Sequence, residues 1–374
     1  MSTVLLIFFV LLGVYAVLLL GMGLGFLFTH SHEVESNNLN TGVTLIVCAR
    51  NEEKHLRNCL ASLLQQNYPR ANIQLLFIND ASSDQTVPIA EAMLASSGIA
   101  YRIITNATQK GKKASLAYAI PFAEHELIIT RDADTFSPSP NWLSTLVACY
   151  EKSRADMIIG PLAIANNSGI LWALQAIENN TLAVLAGGSA YFKKAFLCSG
   201  ANLAFTKSLF ERTNGYQSHA QIASGDDVLF MEDAKKNGAS IVYVKNKDAL
   251  VYTYPCYSFG ALIKQKVRWA SKFKVNPNPF NTFLAVLGFL VNLSWLVCLV
   301  DGYAHPHQNG GTLFFILLKL TIDFLLLFLA SGFIKNKNLF WYSLPVGCVY
   351  PLYACVIAVS SLFLKPKWKP EGAV

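Results

Sequence analysis

Residues 43–52 read VTLIVCARNE, an apolar run of strand length that ends in a cluster of polar residues. The run Val43–Cys48 carries no charge, which predicts a buried strand. The residues that follow have leucine at helical spacing, at Leu56, Leu60, Leu63 and Leu64. The stretch therefore predicts a strand, a polar loop and a helix in succession.

The same alternation continues toward the carboxyl end. Further strands are predicted at Ile73–Ile78, Tyr101–Ile104, Leu127–Thr130 and Met157–Gly160, with helices from about Asp84, near Ala114–Ile120 and from Pro140. Strands that alternate with helices form βαβ units around a parallel sheet. We therefore expect an α/β fold with a mainly parallel, Rossmann-like sheet, whose ligands lie beyond the carboxyl ends of the strands.

Composition restricts the class of protein. Of 374 residues, 53% are hydrophobic and 14% are charged, against about 25% charged in ordinary soluble domains. This excludes a disordered, collagen-like or small disulfide-stapled protein. The net charge of +7 suits an anionic membrane surface or a phosphate-bearing ligand, and without a basic stripe we expect no nucleic-acid partner. The eight cysteines show no C-x-x-C spacing, so we expect free thiols.

The apolar excess is concentrated in membrane-length segments. Residues 1–30 contain an uncharged run, Val4–Thr29, which we interpret as an amino-terminal transmembrane anchor. Residues 280–364 contain three more apolar spans, Phe280–Val300, Leu313–Ile334 and Leu339–Leu364. The predicted soluble domain occupies residues 41–276. Gly21, Gly23 and Gly25 lie inside the first span, where close helix packing is a better explanation than a nucleotide loop.

Charges between the spans predict the orientation. The loop Asp301–Thr312 has no Lys or Arg, whereas the next loop has Lys335 and Lys337. By the positive-inside rule we expect a multi-pass protein of the cytoplasmic membrane with its soluble domain in the cytoplasm. The basic tail at Lys365, Lys367 and Lys369 conflicts with four simple crossings. A break in the last span at Pro345 or Pro351 would remove the conflict, and both arrangements remain open.

Two further segments read as amphipathic helices, Ile170–Leu185 and Phe259–Phe273. The second is basic and directly precedes an apolar span, which is typical of a helix that lies in the membrane interface. Residues Gln265-Lys266-Val267-Arg268-Trp269 lie in it. Trp is common at membrane interfaces, but amide, guanidinium and indole groups on adjoining turns also suit a phosphate and a stacked ligand.

Four polar clusters follow the predicted strands or turns: Ala49-Arg50-Asn51-Glu52, Asn79-Asp80-Ala81-Ser82-Ser83-Asp84, Arg131-Asp132-Ala133-Asp134 and Ser224-Gly225-Asp226-Asp227. Asp80 has the position to bind a base or ribose, although Ser82 or Ser83 would equally cap the next helix. Two carboxylates separated by one residue can converge on a divalent cation. Two adjacent carboxylates suit a general base, or simply the solvated start of a helix.

Taken in order, these motifs resemble the membrane-bound family 2 glycosyltransferases with a GT-A fold. The resemblance covers roughly Val43 to Trp269 and includes Gly111-Lys112 between the second and third clusters. It implies inverting transfer of a sugar from a nucleotide-diphosphate sugar, with Mg or Mn as cofactor. Two positions depart from the family pattern: Asp226 stands where Glu is frequent, and Ala117 stands where Asn is frequent.

The resemblance also implies a role for individual residues. Asp134 would hold the metal, Asp227 would be the base beside Asp226, and Gln265, Arg268 and Trp269 would close over the nucleotide and the acceptor. Asp80 would bind the uracil ring, Lys112 would face the diphosphate, and Ser199-Gly200-Ala201-Asn202 would lie along the acceptor path. The nucleotide-sugar-binding set is Ala49, Arg50, Glu52, Asp80, Lys112 and Asp132.

Three functions remain in view. About four spans are few for a channel that translocates a polymer, so we favour a membrane lipid or lipid-linked acceptor over a processive polysaccharide synthase. A transporter or a binding module with a nucleotide-binding domain is the alternative of another class. A transporter should have polar residues inside its spans, and only Asp323 clearly qualifies. The sequence identifies no protein partner.

Overall fold

A computed structural model of the protein describes residues 3–31, 39–108, 110–222, 225–275, 278–306, 310–334 and 338–364, with side chains undescribed in 271–275. Ser224, the loop lysines at 335 and 337, and the basic tail lie outside the described residues. The chain divides into two compact units. The sheet unit comprises Phe28–Ala165 and Ser189–Tyr254, and the helical unit comprises Met1–Leu27, Asn166–Gly188 and Pro255–Val374.

Among the described residues of the sheet unit, ten strands form two sheets. They are β1 (Val43–Ala49), β2 (Ile73–Asn79), β3 (Ala100–Thr105), β4 (Leu127–Asp132), β5 (Thr135–Phe136), β6 (Met157–Ile159), β7 (Leu162–Ile164), β8 (Leu203–Thr206), β9 (Ile241–Tyr243) and β10 (Val251–Thr253). The larger sheet has the order β3-β2-β1-β4-β8-β6-β9, and β5-β10-β7 form the smaller one. β1–β4 are mutually parallel, whereas β8 runs antiparallel to both of its neighbours. The predicted mainly parallel α/β fold is confirmed.

Twelve α-helices accompany the strands in the described part of the chain. They are α1 (Thr3–Phe28), α2 (Leu56–Leu64), α3 (Thr86–Ala95), α4 (Lys112–Ala119), α5 (Trp142–Ser153), α6 (Ile170–Tyr191), α7 (Lys207–Arg212), α8 (Val228–Lys236), α9 (Phe259–Val275), α10 (Pro279–Ala304), α11 (Gly310–Phe333) and α12 (Leu339–Phe363). The helices predicted after the first, second and fourth strands are present as α2, α3 and α5.

The central strands are apolar along their whole length because successive side chains point to opposite faces of the sheet and both faces are covered. Leu45, Phe77 and Ile129 point to one face, where they share a buried cluster with Leu60 of α2 and Leu146 of α5. The intervening residues are also buried, because helices cover both faces of a parallel sheet. Each fully buried side chain of this size contributes about 1.5–3 kcal/mol, so the central strands form a rigid base for the loops at their ends.

Four helices of the helical unit, α1, α10, α11 and α12, are long and apolar enough to cross a membrane. Pro345 and Pro351 lie inside α12, which runs without interruption from Leu339 to Phe363. The break that we considered in the last span is therefore not present in the structure. Proline is tolerated in such helices because neighbouring groups satisfy the freed backbone carbonyls.

A charged pair lies inside the apolar helix α11. The Lys319 ammonium is 2.7 Å from a carboxylate oxygen of Asp323, and the Tyr15 hydroxyl of α1 donates a 2.8 Å hydrogen bond to the same carboxylate. Lys319 is fully buried. Asp323 was identified from the sequence as a polar residue inside a span, but Lys319 was not. Because the two charges compensate each other within the helix bundle, Asp323 is weaker support for a transport path than it seemed from the sequence.

Candidate active site

The register of the parallel strands brings three of the polar clusters to one edge of the larger sheet. Ala49 at the end of β1 pairs with Asn79 at the end of β2, and Cys48 pairs with Asp132 at the end of β4. The connections from β1 and β4 leave toward opposite sides, because β2 lies on one side of β1 and β4 on the other. Such a switch point opens a crevice in which α/β proteins hold their ligands.

The loops after β1 and β2 are joined to each other by hydrogen bonds. The Asn51 backbone N–H donates to the Ser82 hydroxyl at 3.1 Å, and the Ser83 N–H donates to the Asn51 side-chain oxygen at 2.9 Å. Asn51 and Ala81 both adopt left-handed backbone conformations, which fix these sharp turns. Ser82 therefore supports the neighbouring loop, and α3 begins without a side-chain cap from its N-cap residue Gln85.

Asp80 is buried, and its carboxylate is surrounded by donors from the chain. It accepts hydrogen bonds from the backbone N–H groups of Lys110 at 2.8 Å and Gly111 at 2.9 Å. The side chains of Asn106 and Ser115 also donate to it, at 3.0 and 3.3 Å. Gly111 needs its positive φ of 84° to present this N–H. Asp80 thus anchors the loop that leads into α4, and its contact with a base remains a prediction.

Lys112 links two of the predicted clusters. Its ammonium lies 2.6 Å from a carboxylate oxygen of Asp132 and 3.0 Å from one of Asp226. Burial by itself lowers the pKa of Lys112, but Asp132, Asp226 and Asp227 outweigh burial and raise the pKa well above 10.5. Lys112 therefore carries a permanent positive charge between the end of β4 and the start of α8.

If the donor is the nucleotide-diphosphate sugar that the resemblance implies, replacing Lys112 with methionine should weaken its binding. The change leaves the carboxylates of Asp132 and Asp226 without their shared cation, and a charge-assisted hydrogen bond of about 1.5–3 kcal/mol corresponds to roughly 10–100-fold in KM for the donor. Lys110→Met is the matched control because that side chain is exposed two residues earlier. Equal donor KM values in the two variants would show that Lys112 does not face the donor.

Asp227 is held from two sides at the start of α8. One carboxylate oxygen accepts from the Val228 N–H at 2.8 Å, and the other accepts from the Gly200 N–H at 3.2 Å. A Cβ on Gly200 would lie 2.8 Å from the Lys112 ammonium and 3.1 Å from the Asp226 carboxylate, so a larger residue here would displace the ends of these two side chains. Asp227 therefore caps α8 through one oxygen and accepts from the turn at Gly200 through the other.

Arg131 lies next to Asp132 in β4 and points to the opposite face of the strand. Its guanidinium carbon is 4.0 Å from the centroid of the Trp142 ring. It is buried, and none of its guanidinium nitrogens has a hydrogen-bond partner among the described residues. Burial lowers the pKa of Arg131 to about 10. This side chain is part of the core beneath the site, a position that the motif alone did not indicate.

Gln265, Arg268 and Trp269 lie on α9 of the helical unit. Their spacing of three and four residues places them on one face of that helix, and all three are partly exposed. The structure thus groups one set of predicted residues at the sheet edge or in the loops that adjoin it: Ala49, Arg50, Glu52, Asp80, Lys112, Asp132, Asp134, Asp226 and Asp227. It groups Gln265, Arg268 and Trp269 on one helix face.

Comparison with known proteins identifies the sheet unit. Residues 44–213 match the family described as Glycosyl transferase family 2. This segment is similar to the family 2 glycosyltransferases, and the sheet unit that contains most of it is called the family 2 domain below. The solved structure of a mannosyltransferase from Pyrobaculum calidifontis aligns with 96% of this chain and 99% of that one, with a TM-score of 0.60 and 17% identity. The fold is therefore GT-A-like over almost the whole chain.

Two curated relatives extend the comparison. A probable glycosyltransferase, YdaM of Bacillus subtilis, is 26% identical over 183 residues, which are 48% of this chain and 43% of that protein. A Methanococcus voltae dolichyl N-acetyl-alpha-D-glucosaminyl phosphate 3-beta-D-2,3-diacetamido-2,3-dideoxy-beta-D-glucuronosyltransferase is 21% identical over 324 residues, 84% of this chain and 94% of that protein. The chain thus spans less than half of the first relative and nearly all of the second.

Asp134 is the candidate ligand for a divalent cation in the family 2 domain. This residue lies in the turn between β4 and β5 and is partly exposed. The described residues contain no group of three acidic, His or Cys side chains placed to hold a metal, and Asp132 is already paired with Lys112. Mg²⁺ often binds through one or two carboxylates, with waters and substrate phosphates completing its shell. Asp134 therefore fits a cation that arrives with a diphosphate.

Two residues near the site, Asn106 and Tyr216, were not predicted from the sequence. Asn106 follows the carboxyl end of β3 and donates from its side chain to Asp80. The strand-end argument that selected Asp80 and Asp132 applies equally to Asn106, so that signal was available. Tyr216 is buried, and its pKa is raised well above 10.0 by burial and by Asp226 and Asp227. Its place beside the two carboxylates had no signal in the sequence.

Proposed function

We propose that this protein transfers a sugar from a nucleotide-diphosphate sugar, with UDP as the expected carrier, to a hydroxyl group of a lipid or lipid-linked acceptor. The observation that carries the proposal is the chain of contacts at the sheet edge of the family 2 domain. Asp132 and Asp226 meet the Lys112 ammonium, and Gly200 connects that pair to Asp227. A fixed cation beside a positioned carboxylate suits a diphosphate leaving group and a hydroxyl nucleophile.

In the proposed reaction the acceptor oxygen forms a bond to the anomeric carbon while the bond from that carbon to the diphosphate breaks. Asp227 takes the proton of the acceptor hydroxyl, and the Lys112 ammonium stabilises the negative charge that develops on the diphosphate. A divalent cation at Asp134 would neutralise further charge on the same group. A single displacement of this kind inverts the configuration at the anomeric carbon.

The acceptor is proposed to be a membrane lipid or a lipid-linked sugar. Four helices can cross a membrane, so the chain can hold its family 2 domain at a bilayer surface. The Methanococcus voltae relative, which aligns with 84% of this chain, is named for a dolichyl phosphate-linked acceptor. We place the family 2 domain on the cytoplasmic side of the cell membrane. We also propose that the Trp269 ring of α9 stacks on the acceptor.

The proposal is tested by supplying membranes that contain the protein with a panel of radiolabelled UDP-sugars and GDP-sugars. We expect one donor to transfer its label into material that organic solvent extracts. Label in a long, solvent-insoluble polymer would instead support the processive polysaccharide synthase. Sugar flux into liposomes without transfer would support the transporter, and nucleotide-sugar binding without turnover would support the binding module.

Asp134→Ala should abolish most of this transfer without preventing membrane insertion. Loss of the carboxylate that holds the cation removes several kcal/mol of charge stabilisation, which corresponds to at least roughly 10²-fold in rate. Donor-dependent binding of Mn²⁺, followed by electron paramagnetic resonance, should weaken in parallel. Glu91→Gln, an exposed carboxylate change on α3, is the matched control. Unchanged Mn²⁺ binding in Asp134→Ala would refute the metal assignment.

A further inference from the structure

A buried lysine lies inside the motif that contains Gln265, Arg268 and Trp269. Lys266 is only 7% exposed, and its ammonium forms an ion pair with Glu178 of α6. The same ammonium lies 4.3 Å from the centroid of the Trp269 ring, one turn further along α9. Lys266 therefore has a carboxylate and an aromatic face as its two neighbours.

The helical unit holds Glu178 in place for this contact. The Tyr353 hydroxyl of α12 donates to a Glu178 carboxylate oxygen at 3.5 Å. One turn earlier on α6, the Gln175 side chain donates to the Cys256 carbonyl at 3.0 Å and accepts from the Cys256 N–H at 2.8 Å. α6 thus fixes the backbone three residues before α9 begins, and it also fixes the cation that lies against Trp269.

The buried ion pair of Lys266 and Glu178 is unusual, because apolar side chains could pack at these positions. Removing two charges from water carries a desolvation penalty that an apolar residue of similar volume avoids, and such replacements are frequently neutral or stabilising. The geometry of the pair offers a different benefit. A desolvated ammonium against an indole face attracts the ring strongly, and therefore restricts the rotation of Trp269.

We infer that Lys266 is a positioning residue: held by Glu178, it fixes the plane of the Trp269 ring for the acceptor that this ring is proposed to stack on. The inference rests on the proposed function for its consequence in the reaction, but the orientation of Trp269 can be measured without turnover. Lys266 would then act through Trp269 and would itself make no contact with the donor.

The kinetic test compares Lys266→Met with the conservative Lys266→Arg and with Lys264→Met, which removes an exposed lysine from the same helix. We expect Lys266→Met to raise KM for the lipid acceptor roughly tenfold, with little change in KM for the donor. Glu178→Gln should act in the same direction, and Lys266→Arg should restore most of the loss. Identical acceptor KM values for Lys266→Met and Lys264→Met would overturn the inference.

A double-mutant cycle separates positioning from a general structural role. In a Trp269→Phe background, Lys266→Met should raise the KM for the lipid acceptor much less than it does in the wild-type protein, because the indole ring that Lys266 positions is absent. Equal costs in both backgrounds would show that Lys266 does not act through Trp269.

A spectroscopic measurement decides the matter even if the protein transfers no sugar. The emission of Trp269 is obtained as the difference between spectra with and without Trp269→Phe. We expect this difference spectrum to change on Lys266→Met and to stay the same on Lys264→Met. A protein that transfers no sugar but shows this change would refute the proposed function alone, whereas an unchanged spectrum would refute the positioning role.

Discussion

Asp227→Asn should lower the rate of sugar transfer by roughly 10²–10⁴-fold, the usual contribution of a positioned general base. Asparagine keeps the shape of the side chain but cannot take a proton from the acceptor hydroxyl. It is also as good as aspartate at a helix N-cap, so the hydrogen bond to the Val228 N–H is retained. The bond from Gly200, at 3.2 Å, is the one that an amide nitrogen in place of the oxygen would lose.

This variant is informative because it separates the two roles of Asp227. If Asp227 only began α8, asparagine would preserve that role and activity would remain near the wild-type level. We therefore expect a large loss of turnover together with only a small fall in the melting temperature in detergent, which reflects the lost Gly200 bond. Asp226→Asn is the comparison variant: its carboxylate is already paired with Lys112, so we expect a smaller loss of turnover. A larger loss in Asp226→Asn than in Asp227→Asn would exchange their assigned roles.

The parallel half of the fold could be read from the sequence because its strands are long, apolar and separated by periodic helices. β1 and β2 each have seven residues buried along nearly their whole length. β9 and β10 have three residues each and no sustained alternation, so the sequence carried no comparable signal for them. The antiparallel placement of β8 depends on contacts with β4 and β6 that are distant in sequence.

Part of the candidate site followed from the same logic, since polar residues that follow neighbouring parallel strands must lie at one edge. The sequence could not give the partners within the site. Asp80 is bonded by the N–H groups of Lys110 and Gly111 only because the intervening loop returns to it. Lys112 was expected to face a diphosphate, and in the structure it lies between two carboxylates, a placement that depends on the distant turn at Gly200.

Asn202 connects three distant segments behind the site. The Trp142 indole N–H donates to its side-chain oxygen at 3.1 Å. Its amide nitrogen donates to the carbonyls of Pro161 at 2.8 Å and Ala249 at 2.9 Å. Asn202 is completely buried, and a Cβ on Gly160 would lie 2.2 Å from its side chain, so glycine is needed there. These three hydrogen bonds of the Asn202 side chain all join segments of the sheet unit.

Asn202→Ala should destabilise the sheet unit by roughly 2–6 kcal/mol, because it leaves the Trp142 indole N–H and the Ala249 carbonyl without this partner at about 1–3 kcal/mol each. The Pro161 carbonyl keeps its bond from the Val251 N–H. Proteins are usually stable by only about 5–15 kcal/mol, so this is a large part of the total. The melting temperature in detergent should fall by many degrees, and any folded protein should also lose activity, since Asn202 lies two residues from Gly200.

Two further variants show whether the loss comes from these hydrogen bonds. Gly160→Ala leaves Asn202 in place but displaces its side chain, so we expect it to lower the melting temperature in the same direction. Asp227→Asn, which loses one hydrogen bond at the sheet edge, should lower the melting temperature much less than Asn202→Ala does. If Asn202→Ala had the same melting temperature as Asp227→Asn, the three hydrogen bonds would contribute little to stability. The role of the buried amide would then be the geometry that it gives the turn at Gly200.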